Sequence, residues 1–84
     1  MRRVNKMYYV YLLKLNNGTH YTGFTTNLKN RVRKHNSGGV LATKGNRPVH
    51  LAFYCAFPTK PLAIAFEAYL KSGSGQAFRN RHFT

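Results

Sequence analysis

Glu67 is the only acidic residue among the 84 residues of the chain, so any chemistry that needs a carboxylate must use this side chain. It lies in a mostly apolar stretch for which we predict a helix, and Lys71 follows four residues later. That spacing is typical of an exposed helical ion pair, which contributes roughly 0.3 kcal/mol. A carboxylate is also a preferred ligand of Mg²⁺, whose other positions are often filled by water and substrate phosphate. Glu67 is therefore either a structural partner of Lys71 or the ligand of one divalent cation.

A site of this kind would suit the hydrolysis of a phosphodiester. That reaction needs a nucleophilic water, a base for its proton and positive charge on the phosphoryl oxygens. A single carboxylate argues against a two-metal site, and the base must then be tyrosine or histidine. Arg31 could neutralise the phosphoryl group, and His35, four residues further on, could assist through a hydrogen bond. Tyrosine has an ordinary pKa of about 10, and we expect the positive surroundings and the cation to lower it.

Other reactive side chains give weak signals. Cys55 is the only cysteine and lies in an apolar run, which predicts a core residue. His20, His50 and His82 lack the spacing of metal ligands, and no Ser-His-Asp or reactive-cysteine arrangement supports acyl transfer. Residues 71–75 contain Gly and Ser without the order of a Walker A loop, so we interpret them as the end of a helix.

Charge is the strongest compositional signal. The chain has 14 Lys and Arg and a net charge of +13, which predicts a polyanionic partner, with DNA before an anionic membrane. We expect the nucleic acid to contact eight basic side chains, which are Lys29, Arg33, Lys34, Lys44, Arg47, Lys71, Arg79 and Arg81.

Composition also predicts the general class of protein. A hydrophobic content of 43% predicts a folded core. The length suits one domain over residues 1–84, folded from about 7 to 82 and preceded by a loose arm over residues 1–6. Neither a membrane-spanning run nor a signal-peptide pattern is found, so we predict a cytoplasmic protein.

Residues 8–23 predict the β-hairpin around which the fold is organised. A tyrosine-rich apolar strand precedes Asn16-Asn17-Gly18 and a second strand with Tyr21 follows it, and Asn-Gly is a strong hairpin signal. Two registers are open. A loop of all three residues puts Tyr11 and Tyr21 on one face of the sheet, whereas a turn of Asn17-Gly18 alone puts them on opposite faces.

The rest of the chain predicts helices and one further strand. We first predict a helix over Leu28–Asn36, with an N-cap among residues 25–27, and then a Gly-rich loop over 37–48. An apolar strand over 49–57 follows, and it is suited to the centre of a sheet. The chain then forms a helix over 62–71 and a short basic helix over 76–82, with Phe78 turned inward.

Together these motifs resemble the GIY-YIG nuclease family, in particular its small stand-alone members related to the N-terminal nuclease domain of the bacterial excision-repair subunit. Tyr9-Val10-Tyr11 stands at the first family motif and Tyr21-Thr22-Gly23 at the second. Arg31 and His35 follow Tyr21 by ten and fourteen residues, as on the family's helix. The later matches are His35-Asn36-Ser37-Gly38, Thr43, Arg47-Pro48-Val49, and Glu67 with Lys71.

The resemblance implies an α+β fold, with a small three-stranded, largely antiparallel sheet flanked by helices and Tyr11 and Tyr21 on one face. It implies a divalent-metal-dependent endonuclease that hydrolyses DNA phosphodiester bonds with one Mg²⁺ or Mn²⁺ ion. Tyr11 would be the general base with Tyr21 and His35 assisting it, Arg31 would contact the scissile phosphate, and Glu67 would bind the metal.

The chain departs from the family pattern at four places. Val10 replaces Ile, Thr22 replaces the middle residue of the second motif, Phe24 stands where some members have lysine, and only Asn80 is available for the late asparagine of larger members. Two other functions therefore remain open, a catalytically inactive nucleic-acid-binding module and an accessory subunit of a repair or RNA complex.

Overall fold

The computed structural model describes residues 6–83, without the side chains of residues 79, 82 and 83. Its elements are β1 (Tyr8–Lys14), β2 (His20–Thr25), α1 (Leu28–Asn36), α2 (Leu41–Lys44), β3 (His50–Phe57), α3 (Lys60–Lys71) and α4 (Gly73–Phe83). The arm predicted for residues 1–6 lies, apart from Lys6, outside the described residues. Within the described part of the chain, no helix is both long enough and apolar enough to cross a membrane.

Strand β1 is the centre of a three-stranded antiparallel sheet with the order β2-β1-β3. The sheet and its flanking helices confirm the α+β fold that the resemblance implies. Four consecutive residues of β1, from Val10 to Leu13, are completely buried. A strand that is covered on both faces needs apolar side chains on both faces, which explains the nearly continuous apolar run of β1.

The prediction that residues 49–57 form the centre of the sheet is wrong. This segment becomes β3, and its one described strand partner is β1. It is therefore an edge strand, on which Tyr54 remains 51% exposed and Leu51 39% exposed. An uncharged apolar run fits either position in a sheet, and only the pairing order separates the two.

The hairpin adopts the register with the longer loop. Gly18 has a φ of 89°, in the left-handed region that glycine reaches most easily. Leu13 pairs with Tyr21, and Tyr11 pairs with Gly23. Because side chains alternate along a strand, Tyr11 and Tyr21 lie on the same face of the sheet.

The helices cover both faces of the sheet. On the first face, α1 packs through Leu28 and Val32 on an apolar cluster that contains Tyr11. On the second face, α3 and α4 pack on a cluster around Val10, and Phe78 is turned into this cluster as predicted. The side chains of β1 therefore hold one helical layer on each face.

Two asparagines fix the ends of α1. The side chain of Asn27 accepts a hydrogen bond from the Asn30 N–H at 3.1 Å and caps the first turn. The side-chain amide of Asn36 donates to the Val49 carbonyl at 3.2 Å and accepts from the Val49 N–H at 2.8 Å. It thus takes the place of the backbone of a paired strand, which would make the same two hydrogen bonds. Residues 37–48 are thus closed at their base, and the short helix α2, which the sequence did not predict, forms within them.

Candidate active site

Tyr11 lies in the middle of the central strand and is completely buried. Its ring crosses β2 at Gly23, where a Cβ atom would overlap the ring, so this position leaves room for glycine only. The hydroxyl group then reaches α1. Its oxygen lies 2.9 Å from Nε2 of His35 and 3.3 Å from Nε of Arg31, which donates to it. The hairpin and the helix therefore meet at one phenolic oxygen.

His35 is also completely buried, and both of its ring nitrogens have partners. Nδ1 lies 2.8 Å from Oγ1 of Thr43, whose hydroxyl group donates to the Val40 carbonyl at 3.4 Å. The Thr43 oxygen is then free to accept a hydrogen bond from Nδ1–H, which leaves Nε2 as the acceptor for the Tyr11 hydroxyl. Burial lowers the pKa of His35, and the charges of Arg31 and Lys34 lower it further. The contacts and the pKa both favour a neutral imidazole with its lone pair facing Tyr11.

The pKa of Tyr11 is raised, which differs from the sequence-based expectation. Burial of the phenol is the largest cause. The hydrogen bond and the charge of Arg31 act in the opposite direction, while Tyr21 and Glu67 raise the pKa further. Desolvation of a buried phenolate thus outweighs the positive surroundings. In the protein without metal, Tyr11 is a neutral hydroxyl group at physiological pH.

Arg31 and Tyr21 complete the arrangement around this hydroxyl group. The hydrogen bond to Tyr11 is the main cause that raises the pKa of Arg31, so its guanidinium group stays charged. The Tyr21 ring is partly exposed and packs edge-on against the His35 ring, with centroids 5.1 Å apart. The structure therefore brings together four of the five side chains predicted to act in catalysis.

Glu67, the fifth, projects from α3 and forms an ion pair with Lys71, with Nζ and Oε2 3.2 Å apart. The ion pair expected from the spacing is present. The side chain of Glu67 is 22% exposed, and its charge contributes to the raised pKa of Tyr11. The direct contact described for this carboxylate is therefore the ion pair with Lys71, and its influence on Tyr11 is electrostatic. Among the described residues, no group of three or more His, Cys, Asp or Glu side chains could hold a metal ion.

The basic residues predicted to bind nucleic acid are distributed over both sides of the sheet. On the side of Tyr11, α1 presents Lys29, Arg33 and Lys34, all exposed. Next to them, Lys44 and Arg47 line an open cavity of about 610 Å³, and Nε of Arg47 donates to the Lys44 carbonyl at 2.8 Å. Five of the eight predicted basic side chains therefore lie on this side and are exposed.

The other predicted basic contacts lie on α3 and α4. Lys71 is occupied by Glu67, although 57% of its side chain is exposed. Arg81 lines a cavity of about 270 Å³ on α4 together with Phe78. The side chain of Arg79 lies outside the described residues. These residues belong to the layer that covers the opposite face of the sheet from α1.

Thr43, which is matched to the family but not predicted as a site residue, contacts His35. It is completely buried beside His35, although it comes from a segment read as a Gly-rich loop. Loop threonines are common and carry no periodic signal. The short helix α2, which turns Thr43 inward, is what makes it a partner of the imidazole.

A family model described as the GIY-YIG catalytic domain matches residues 7–81. The chain belongs to the GIY-YIG family. Membership places it in a nuclease superfamily and agrees with the geometry above, since the two tyrosine motifs of the family lie on β1 and β2 and contribute Tyr11, Tyr21 and Gly23 to one site.

Relatives of similar size match most of this chain. A UPF0213 protein of Haloquadratum walsbyi is 39% identical over 70 residues, which cover 82% of this chain and 79% of that protein. A UPF0213 protein of Streptococcus agalactiae is 41% identical over 70 residues, with 82% of this chain and 80% of that protein covered. The solution NMR structure of a UPF0213 protein from Bacillus halodurans matches with a TM-score of 0.55 and 37% identity, over 86% of this chain and 80% of that chain. The chain is therefore similar to UPF0213 proteins over most of their length.

Proposed function

We propose that this protein is an endonuclease that hydrolyses DNA phosphodiester bonds with the help of one divalent cation. The observation that supports the proposal best is the Tyr11 hydroxyl group, which contacts Nε2 of His35 and Nε of Arg31. The imidazole accepts a proton, and the guanidinium group supplies a permanent positive charge. A proton acceptor beside a fixed cation is what the attack of water on a phosphodiester requires.

The proton path in this proposal runs through two side chains. As water attacks phosphorus, the Tyr11 oxygen takes a proton from the water and the original hydroxyl proton passes to Nε2 of His35. The new oxygen–phosphorus bond forms, the bond to the leaving oxygen breaks, and that oxygen takes a proton from solvent. The raised pKa of Tyr11 keeps its hydroxyl neutral for this relay, and the lowered pKa of His35 keeps the acceptor free at neutral pH. Arg31 balances the negative charge that develops on the phosphoryl oxygens.

Glu67 is the residue that would hold the cation. Its carboxylate is a hard oxygen donor that is partly open to solvent. One such ligand fits Mg²⁺ or Mn²⁺, which keep several waters and bind substrate phosphate directly. When bound, the ion adds positive charge at the scissile phosphate. Lys71 contacts the same carboxylate, so we expect cation binding to weaken that ion pair.

DNA binding in this proposal comes mainly from charge. The net charge of +13 and the exposed basic side chains of α1 and of residues 44–47 attract DNA phosphates, and this attraction does not depend on the DNA sequence. Such binding falls steeply as salt rises, because each neutralised phosphate releases counterions.

The test is cleavage of end-labelled single-stranded, duplex, flap and branched DNA with Mg²⁺ or Mn²⁺. We expect the wild type to cut at least one substrate, a chelator to stop it, and Glu67→Gln to lose activity by about 10³-fold while still binding DNA. Lys71→Gln is the matched control, because it breaks the same ion pair but keeps the carboxylate. Cutting at saturating DNA should therefore persist in Lys71→Gln, although binding weakens with the loss of one predicted phosphate contact. Equal cutting by wild type and Glu67→Gln would contradict the role of Glu67.

The ion pair supports one competing function, a nucleic-acid-binding module without catalytic activity. In that case Glu67 serves only to hold Lys71 on the surface of α3. The module would bind all of these substrates with strong salt dependence and cut none of them, and Glu67→Gln and Lys71→Gln would behave alike.

A further inference from the structure

An open groove of about 580 Å³ lies next to the candidate active site, on the same face of the sheet. It lies over β1 and β3, whereas the Tyr11 ring crosses β2. Its wall on the helix side comes from the first turns of α1. The lining includes Tyr9, Leu51 and Tyr54 from the strands and Asn27, Leu28 and Lys29 from the helix end.

The floor of the groove is an uncovered aromatic surface. Tyr54 is 51% exposed, and its neighbour Leu51 is 39% exposed. The Tyr9 and Tyr54 rings meet edge to face with centroids 6.1 Å apart, so each ring supports the orientation of the other. Exposed apolar surface that is concave and held in place in this way is typical of a binding site.

Charge decides which occupant fits. Lys29 lines the groove, and Arg33 lies one helical turn further along the exposed side of α1. The only carboxylate of the chain, that of Glu67, is not part of the groove lining and is paired with Lys71, so the charge that the groove itself offers beside its aromatic rings is positive. A nucleotide is complementary to this combination, since its base has a flat π-face and its phosphate is an anion.

The base must be unpaired to use the groove. A base inside a duplex is already stacked on both faces, whereas a base in a single strand can place one face on a tyrosine ring. Tyr54 is the direct cross-strand partner of Tyr11. The groove and the Tyr11 hydroxyl group are therefore within reach of one short stretch of a single strand that passes α1.

We propose that this groove binds an unpaired base of the substrate strand through Tyr54 and Tyr9, with Lys29 near the adjoining phosphate. The preferred substrates are then single-stranded DNA or DNA with an unpaired segment, such as a flap. This inference rests on the proposed function, because it describes the substrate of the same site.

Binding without catalysis is the direct test. Anisotropy of a labelled oligothymidylate is measured with chelator present, for the wild type, Tyr54→Leu and Tyr54→Phe. A second oligonucleotide of equal length has abasic sites, so it keeps the phosphates and lacks the bases. We expect Tyr54→Leu to weaken oligothymidylate binding by about ten- to a hundredfold, Tyr54→Phe to bind like the wild type, and the abasic strand to bind both weakly and equally to all three.

Tyr69→Leu is the matched control. Tyr69 is another exposed tyrosine, at 41%, but it lies on α3. We expect it to leave oligothymidylate binding within twofold of the wild type. Circular dichroism of each variant establishes that the fold is retained, and Tyr54→Phe retains the ring should Tyr54→Leu unfold.

Three results would overturn the proposal. One is equal binding of oligothymidylate by the wild type and folded Tyr54→Leu. Another is equal binding of the abasic and intact strands by the wild type. The third is a dimer of the wild type that Tyr54→Leu abolishes without an effect on DNA binding, which would make the groove an interface between copies. A protein that cuts nothing but loses strand binding in Tyr54→Leu would refute the nuclease and leave the base-binding groove intact.

Discussion

Tyr11 and Tyr54 face each other across the β1–β3 pair, yet one is completely buried and the other is 51% exposed. Tyr11 belongs to the central strand, and α1 and Gly23 enclose its ring. Tyr54 belongs to the edge strand, where its ring lines the open groove beside α1. One face of the sheet thus offers a desolvated hydroxyl group with fixed partners and, beside it, an open aromatic surface. Enclosure suits proton transfer, and exposure suits binding of a base.

The sharpest way to test this contrast is to remove one oxygen atom from each tyrosine. Tyr11→Phe deletes the hydroxyl group that joins His35 and Arg31, so we expect DNA cleavage to fall by about 10³-fold, the usual range for a lost acid or base. It also leaves the buried Nε2 of His35 without its partner, at a cost of about 1–3 kcal/mol in the free energy of unfolding. Single-turnover cleavage and urea unfolding measure the two effects.

Tyr54→Phe is the control for this pair, because it removes the same atom from the exposed ring. We expect neither cleavage nor stability to change by more than the error of measurement. A Tyr11→Phe protein that cuts like the wild type would refute the proposed proton path, whatever the outcome for Tyr54.

The enclosure of Tyr11 can also be broken without touching Tyr11 itself. Gly23→Ala places a methyl group where the phenol ring lies, so the ring must move away from His35 and Arg31. We expect a loss of about 1–3 kcal/mol in stability, as for other overpacked sites, and a cleavage rate that falls by more than tenfold. Gly45→Ala is the matched control, because a Cβ atom there meets nothing within 4 Å. Equal melting temperatures for Gly23→Ala and Gly45→Ala would show that the ring has room to move.

The smallest expected effect concerns Thr43, which holds the far side of the His35 ring. Thr43→Val keeps the shape but removes the oxygen that faces Nδ1, so we expect about tenfold slower cleavage, with Thr43→Ser restoring it.

The pH dependence of wild-type cleavage tests the protonation state of His35. Neutral His35 accepts the proton and its pKa is lowered, so wild-type activity should persist below the ordinary imidazole pKa of about 6.5 and fall only at more acid pH. A wild-type rate that falls already above that value would contradict neutral His35 as the acceptor.

Local sequence signals predicted the parts of the fold that local chemistry determines. Asn16-Asn17-Gly18 located the turn and residues 25–27 the start of α1, and both predictions are confirmed, with Asn27 as the cap. The residues alone did not decide the register of the hairpin, because a loop of residues 16–18 and a turn of residues 17–18 are both compatible with the sequence. The resemblance favoured the correct one, since the family motifs need Tyr11 and Tyr21 on one face.

The features that the sequence did not predict depend on contacts between distant segments. The position of β3 at the edge follows from strand order, which an apolar run does not encode. The raised pKa of Tyr11 follows from burial under α1, which net charge alone could not anticipate. The inward turn of Thr43 needs α2, a helix of four residues, which is too short to leave a periodic pattern.

Asn36 joins the end of α1 to the start of β3 by two hydrogen bonds with Val49, and it thereby closes residues 37–48 at their base. Both ends of this segment are thus fixed relative to His35 and to the sheet. We expect segments of other lengths to be tolerated between Asn36 and Val49, provided that they place one hydroxyl group against Nδ1 of His35. Because Lys44 and Arg47 also lie here, such an exchange would alter the positive charge of this surface while the candidate catalytic groups keep their places.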